Sequence, residues 1–179
     1  MKFLKWFGLI LLVLIIVYLL GPKPSKPKYS LVMPAIPAEP AALEGFIKNQ
    51  ESKHKLKPDN EARIIWMNDS VKQKTEYAVV YLHGFSASQE EGDPVHYEFA
   101  QQFGCNLYLS RLDAHGVDTT DPLASFSATG LWESAKEAYA IGKQLGKKVI
   151  LLSTSTGGTV ALKLAAEYPE ARSDWSMGR

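Results

Sequence analysis

The run Val149 to Gly158, V-I-L-L-S-T-S-T-G-G, brings an apolar stretch to an abrupt stop at small hydroxyl residues and two glycines. This is the layout of a strand, a sharp turn carrying Ser155, and a helix. Such a turn lifts a serine hydroxyl clear of the backbone and sets it beside a helix N-terminus, where negative charge is favoured. A hydroxyl so placed points to acyl transfer. A glycine-rich strand-to-helix turn with no chemistry accounts for the same ten letters when they stand alone. A serine nucleophile also needs a base, and the chain holds four histidines: His54, His83, His96 and His115.

The surrounding pattern supplies the elements that must position that serine. Leu43 to Lys55 has a helical pattern, and Arg63 to Met67 reads as a short strand. Tyr77 to Leu82 reads as a buried strand ending at His83-Gly84-Phe85. Val95 to Phe103 reads as a helix, with Asp93 as N-cap and Pro94 at its first position. Asn106 to Leu112 is a strand followed by Asp113-Ala114-His115-Gly116. Leu131 to Leu145 carries an apolar face at helical spacing and is stopped by Gly146. Val149 to Leu152 is the next strand, and Thr156 to Tyr168 is a helix ended by Pro169. Near-continuous apolar strands alternating with helices predict an α/β fold, with a mainly parallel sheet in three layers. Right-handed crossovers would set the helices alternately on its two sides. The loops at the carboxyl ends of the strands, which carry His83-Gly84-Phe85, His115-Gly116 and Ser155, then form the site.

On three segments in this order, Y-L-H-G-F, R-L-D-A-H-G and S-T-S-T-G-G, the chain resembles the α/β-hydrolase superfamily. Within it, the closest likeness is to the monoacylglycerol-lipase-like or serine-aminopeptidase-like esterases. The likeness runs from about Arg63 to about Glu170. It implies a small-x-Ser-x-Gly-Gly elbow with Ser155 as nucleophile and Gly157 and Gly158 as its close-packing partners. Ser153 stands where glycine is commonest. It further implies that the backbone amides of Phe85 and Thr156 form the oxyanion hole. His83 and Gly84 would support that loop rather than deprotonate the serine, and His115-Gly116 would make a tight turn that helps order the site. His54 and His96 read as surface or packing residues. The polar loop Ser86, Ser88, Glu90, Glu91 and Asp93 reads as solvated, with no metal and no cofactor called for. The implied substrate is a small ester, acylglycerol or amide.

The superfamily orders its triad as serine, acid, histidine. After Tyr168-Pro169-Glu170 the sequence offers a short polar tail, with Asp174 on it, where another strand would be expected. The sheet is therefore expected to be incomplete, with Val149 to Leu152 at an exposed edge. The chain then reads as the N-terminal part of a serine esterase or lipase, inactive alone. The alternatives are a pseudoenzyme or binding module that keeps a pocket without a triad, and a complementation half whose missing strands come from another chain.

Phe3 to Leu20 is nearly unbroken apolar sequence, about the length that crosses a bilayer of ~30 Å hydrocarbon. Lys5, Trp6 and Tyr18 suit its interfaces. A cleaved signal peptide is the rival, but Tyr18-Leu19-Leu20-Gly21-Pro22 is a poor cleavage site. Residues 1–21 are thus expected to be a membrane anchor, with the domain exported. Residues 22–42 hold six prolines and read as an extended spacer lifting residues 43–179 off the membrane. The 179 residues are 46% hydrophobic and 22% charged, as in a globular protein, and the net charge of +1 gives no reason to expect nucleic acid. A single cysteine, Cys105, excludes an intrachain disulfide.

Overall fold

The structure, a computed structural model, describes residues 2–21, 23 and 26–173. It contains α1 (Lys2–Leu20), α2 (Pro40–Glu51), β1 (Arg63–Ile65), β2 (Thr75–Leu82), a 3₁₀ turn (Gln89–Gly92), α3 (Val95–Gln102), β3 (Asn106–Leu109), α4 (Ala128–Leu145), β4 (Gly146–Ser153), α5 (Thr156–Glu167) and α6 (Pro169–Ser173). Asp174 lies outside the described residues.

The four strands form one mixed sheet in the order β1-β3-β2-β4. β2 pairs in parallel with β3 and β4, whereas β1 runs antiparallel to β3. Alternation along the strands divides the core. Ala78, Val80, Leu82 and Tyr108 face one side, where they meet Leu43 and Ile47 of α2, the inner face of α4, and Val160 and Leu164 of α5. Val79, Tyr81, Leu107 and Leu109 face the other, under Ala100 and Phe99 of α3. The helices are therefore not strictly alternate. α3 alone covers one face because only its crossover, from β2 to β3, runs toward β1; α4 and α5 follow the reversal of strand order and share the opposite face. No described strand pairs with the outer side of β4.

Several boundaries differ from the pattern-based expectation for local reasons. α2 starts at Pro40 because Glu39 caps it, accepting from the amides of Ala41 (3.1 Å) and Ala42 (2.7 Å). Asp93 does not cap α3: the Asp93–Pro94 bond is cis, and Pro94 holds the cap position without a side-chain bond. β4 begins at Gly146, directly from α4, so Lys147 and Lys148 belong to the strand. There Lys147 pairs with Glu76 at 2.9 Å and Lys148 lies over the Tyr77 ring. Pro169 breaks α5 and then opens α6, whose Ala171 is buried against the core.

α1 is long and apolar enough to cross a membrane, with a mean hydropathy of 2.6 from Phe3 to Leu20 and none of it buried by the rest of the chain. A signal sequence passes the same test. The segment expected to be a spacer is not free from Lys28 onward. Trp132 Nε1, Tyr168 Oη and Lys136 Nζ donate to three successive carbonyls, those of Ser30 (2.7 Å), Leu31 (2.9 Å) and Val32 (2.9 Å). Tyr29 meets the Trp132 ring edge-on, and Met33 and Ile36 join the core. Ser30, Leu31 and Val32 belong to no helix or strand, and donors on α4 and just after α5 take up their carbonyls.

Candidate active site

Ser155 has φ 48° and ψ −111°, outside the conformations an L-residue adopts at low energy. The cause lies on both sides of it. β4 is fixed by register against β2, with Ser153 opposite Leu82 and the Thr154 amide bonded to the Leu82 carbonyl at 3.1 Å. α5 starts at the next residue. One residue makes the whole turn, and its side chain is pushed outward: Ser155 is exposed at the head of α5 and its hydroxyl bonds to no other described residue. Replacing Ser155 by glycine should therefore raise stability by about 1 kcal/mol, the size of the strain released. A rise in the urea midpoint would register it, and a fall would mean that the turn is unstrained.

Gly157 is what lets α5 approach. A Cβ built there would stand 2.0 Å from the Leu82 carbonyl oxygen and 2.8 Å from that of His83. Gly158 has no such neighbour; its nearest atom, Ser153 Oγ, is at 3.7 Å. The two glycines of the motif thus differ, and only the first is required by contact. The close passage of α5 over Leu82-His83 brings the turn after β2 beside the turn after β4. The amides of Phe85 and Thr156, one in each turn, bond to no other described residue, so both remain available as donors.

His83 is buried and both ring nitrogens are committed. Nε2 accepts from the Leu112 amide at 3.0 Å, which fixes the proton on Nδ1, and Nδ1 donates to the Gly84 carbonyl at 2.8 Å. Burial pulls its pKa down to about 4, the Gly84 carbonyl opposing the shift, so the ring is neutral near pH 7. His115 repeats the pattern one loop away: its Nε2 accepts from the Ser86 amide at 3.0 Å and its Nδ1 donates to the Asp113 carbonyl at 2.7 Å. The two rings meet at 4.8 Å, edge to face. They tie the turn after β2 to the turn after β3, and neither is free to take a proton from Ser155. His96 is fully buried on the α3 side, donating to the Gln89 carbonyl at 2.8 Å, and His54 lies with Glu51 and Arg111 in a separate depression.

Glu91 is not a merely solvated member of its loop. Its carboxylate accepts from the Gly84 amide at 2.7 Å and approaches the Tyr81 hydroxyl at 3.5 Å; that hydroxyl also meets Thr154 Oγ1 at 3.0 Å. Glu91 therefore braces the turn that carries the Phe85 amide. Nothing in the local sequence marks it, because the contact depends on the 3₁₀ turn folding back over β2.

Beside Ser155 runs an open groove of about 620 Å³ lined by Leu151, Ser153, Gly158, Ala161, Leu162 and Ala165. It is mostly apolar, and Leu162 is 75% exposed on its rim. Among the described residues no group of three or more His, Cys, Asp or Glu is arranged to hold a metal ion. No protein-family model and no curated protein matches this chain.

Proposed function

We propose that this chain carries the nucleophile half of a membrane-anchored serine hydrolase of the α/β-hydrolase type, acting on an ester, acylglycerol or amide. The observation that carries this reading is the backbone of Ser155: a strained, outward-facing serine at a helix head. The amides of Phe85 and Thr156 would hold the oxyanion while Ser155 Oγ adds to the carbonyl. The groove would take the apolar part of the substrate. Neither His83 nor His115 serves as the base, since both ring nitrogens of each are bonded elsewhere. The apolar helix α1 supports an anchor.

Without a base, the chain alone should hydrolyse p-nitrophenyl acetate no faster than Ser155→Ala. Adding imidazole to the buffer supplies a proton acceptor. Fluorophosphonate labelling at Ser155 should then rise, and should be absent in Ser155→Ala. Labelling that stays absent with imidazole present would count against the hydrolase and favour a binding module. The specific observation behind that second reading is that both ring nitrogens of His83 and of His115 are occupied elsewhere.

A further inference from the structure

The strap formed by residues 28–36 determines which end of the domain can meet a membrane. Its first fixed point is the Lys28 amide, which donates to Thr129 Oγ1 at 3.0 Å in the first turn of α4. That turn lies at the carboxyl end of the sheet. α4 runs back along the strands and finishes at Leu145, whose carbonyl accepts from Thr75 Oγ1 and Asn106 Nδ2 at the starts of β2 and β3. The head of α4 is joined to the Ser155 end by direct contacts: the Ser127 amide donates to Asp113 Oδ2, and the Phe126 ring meets Phe85 at 5.2 Å and His115 at 5.7 Å. The strap thus leaves the domain next to the loops that surround the candidate site.

Chain length converts this into an orientation. Seven residues, Gly21 to Pro27, separate α1 from Lys28. Fully extended, they reach about 28 Å at most. Strands β2 and β4 have eight residues each, about 23 Å from end to end. Facing the amino end of the sheet toward the bilayer would use most of the tether to pass along the domain. Facing the carboxyl end uses little of it. Exposed apolar side chains do not decide the matter, since Met67, Val71 and Phe103 at the amino end are as exposed as Phe85. Lys23, Lys26 and Lys28, all exposed, add attraction between this corner and phospholipid headgroups.

We propose that the docked strap holds the domain with the Ser155 end of its sheet turned toward a phospholipid surface. This rests on the membrane half of the proposed function and not on its hydrolytic half.

The test uses the full chain with Cys105→Ser, reconstituted in phosphatidylcholine vesicles that contain lipids with a nitroxide on the headgroup. A single fluorescent label is placed through Ser125→Cys, beside Phe126 at the carboxyl end, or through Ser70→Cys, in the loop before β2 at the amino end. Quenching should be several-fold stronger at position 125. Inserting a flexible Gly/Ser segment of about twenty residues after Gly21 should bring the two positions to equal quenching. Equal quenching at native length, stronger quenching at position 70, an asymmetry that survives the insertion, or failure of the chain to stay with the vesicles would each overturn the proposal. Adding Ser155→Ala should leave the quenching unchanged, which separates this result from the fate of the hydrolase reading.

Discussion

Gly157→Ala should destabilise the protein by about 3 kcal/mol or more, while Gly158→Ala should change stability by no more than about 1 kcal/mol, on the stabilising side. The added methyl at position 157 would stand 2.0 Å from the Leu82 carbonyl oxygen, and that carbonyl cannot retreat. It accepts the Thr154 amide, and its strand is hydrogen-bonded on both sides, to β3 and to β4. The helix would have to move instead. Moving α5 would pull Val160 and Leu164 from the core and open the turn that strains Ser155. At position 158 the same methyl meets only Ser153 Oγ at 3.7 Å, and alanine is the better helix former. Urea denaturation of both variants, followed by circular dichroism, gives the comparison. Similar midpoints would mean that α5 does not lie against β2 as described.

The second large effect is in pH. His83 has a pKa of about 4 in the folded protein, against an ordinary value of about 6.5 when unfolded. Between these values the unfolded chain binds a proton that the folded chain refuses, so stability rises with pH across that window. The contribution is whole above pH 6.5, falls as pH drops toward 4, and amounts to about 3 kcal/mol. Carboxylates titrate in the same region, so the site-specific readout is the His83 ring proton in an NMR titration. Its midpoint should lie near 4. A midpoint close to 6.5 would show the ring in contact with water and the two loops untied. Because His83 orients Gly84 and contacts His115, its protonation should also loosen the turn bearing the Phe85 amide.

The candidate site was legible where chemistry is local. Small residues around Ser155 announced a turn, and the strand before it and helix after it came out in place, because the apolar run and the helical face are both contained in short windows. What could not be read depends on residues far apart. Glu91 meets Gly84 only because a 3₁₀ turn folds over β2. Trp132, Lys136 and Tyr168 take carbonyls from residues more than a hundred positions earlier. A proline-rich stretch reads as a spacer because its own side chains make few demands. Its fixation comes from donors on other elements, and from Tyr29, Met33 and Ile36 meeting residues far along the chain. The glycine pair illustrates the same division: sequence treats Gly157 and Gly158 alike, and only packing distinguishes them.

α4 passes into β4 with no residue between them, Leu145 ending the helix and Gly146 opening the strand. From Ala128 to Ser155 the polypeptide therefore has no slack. One extra residue at that junction would turn the helix by roughly 100° or exchange the two faces of the strand. In either case Ser155 would leave its post. An added residue is tolerated instead upstream, in the stretch between Leu109 and Ala128, where it lengthens a loop and leaves the serine where it stands.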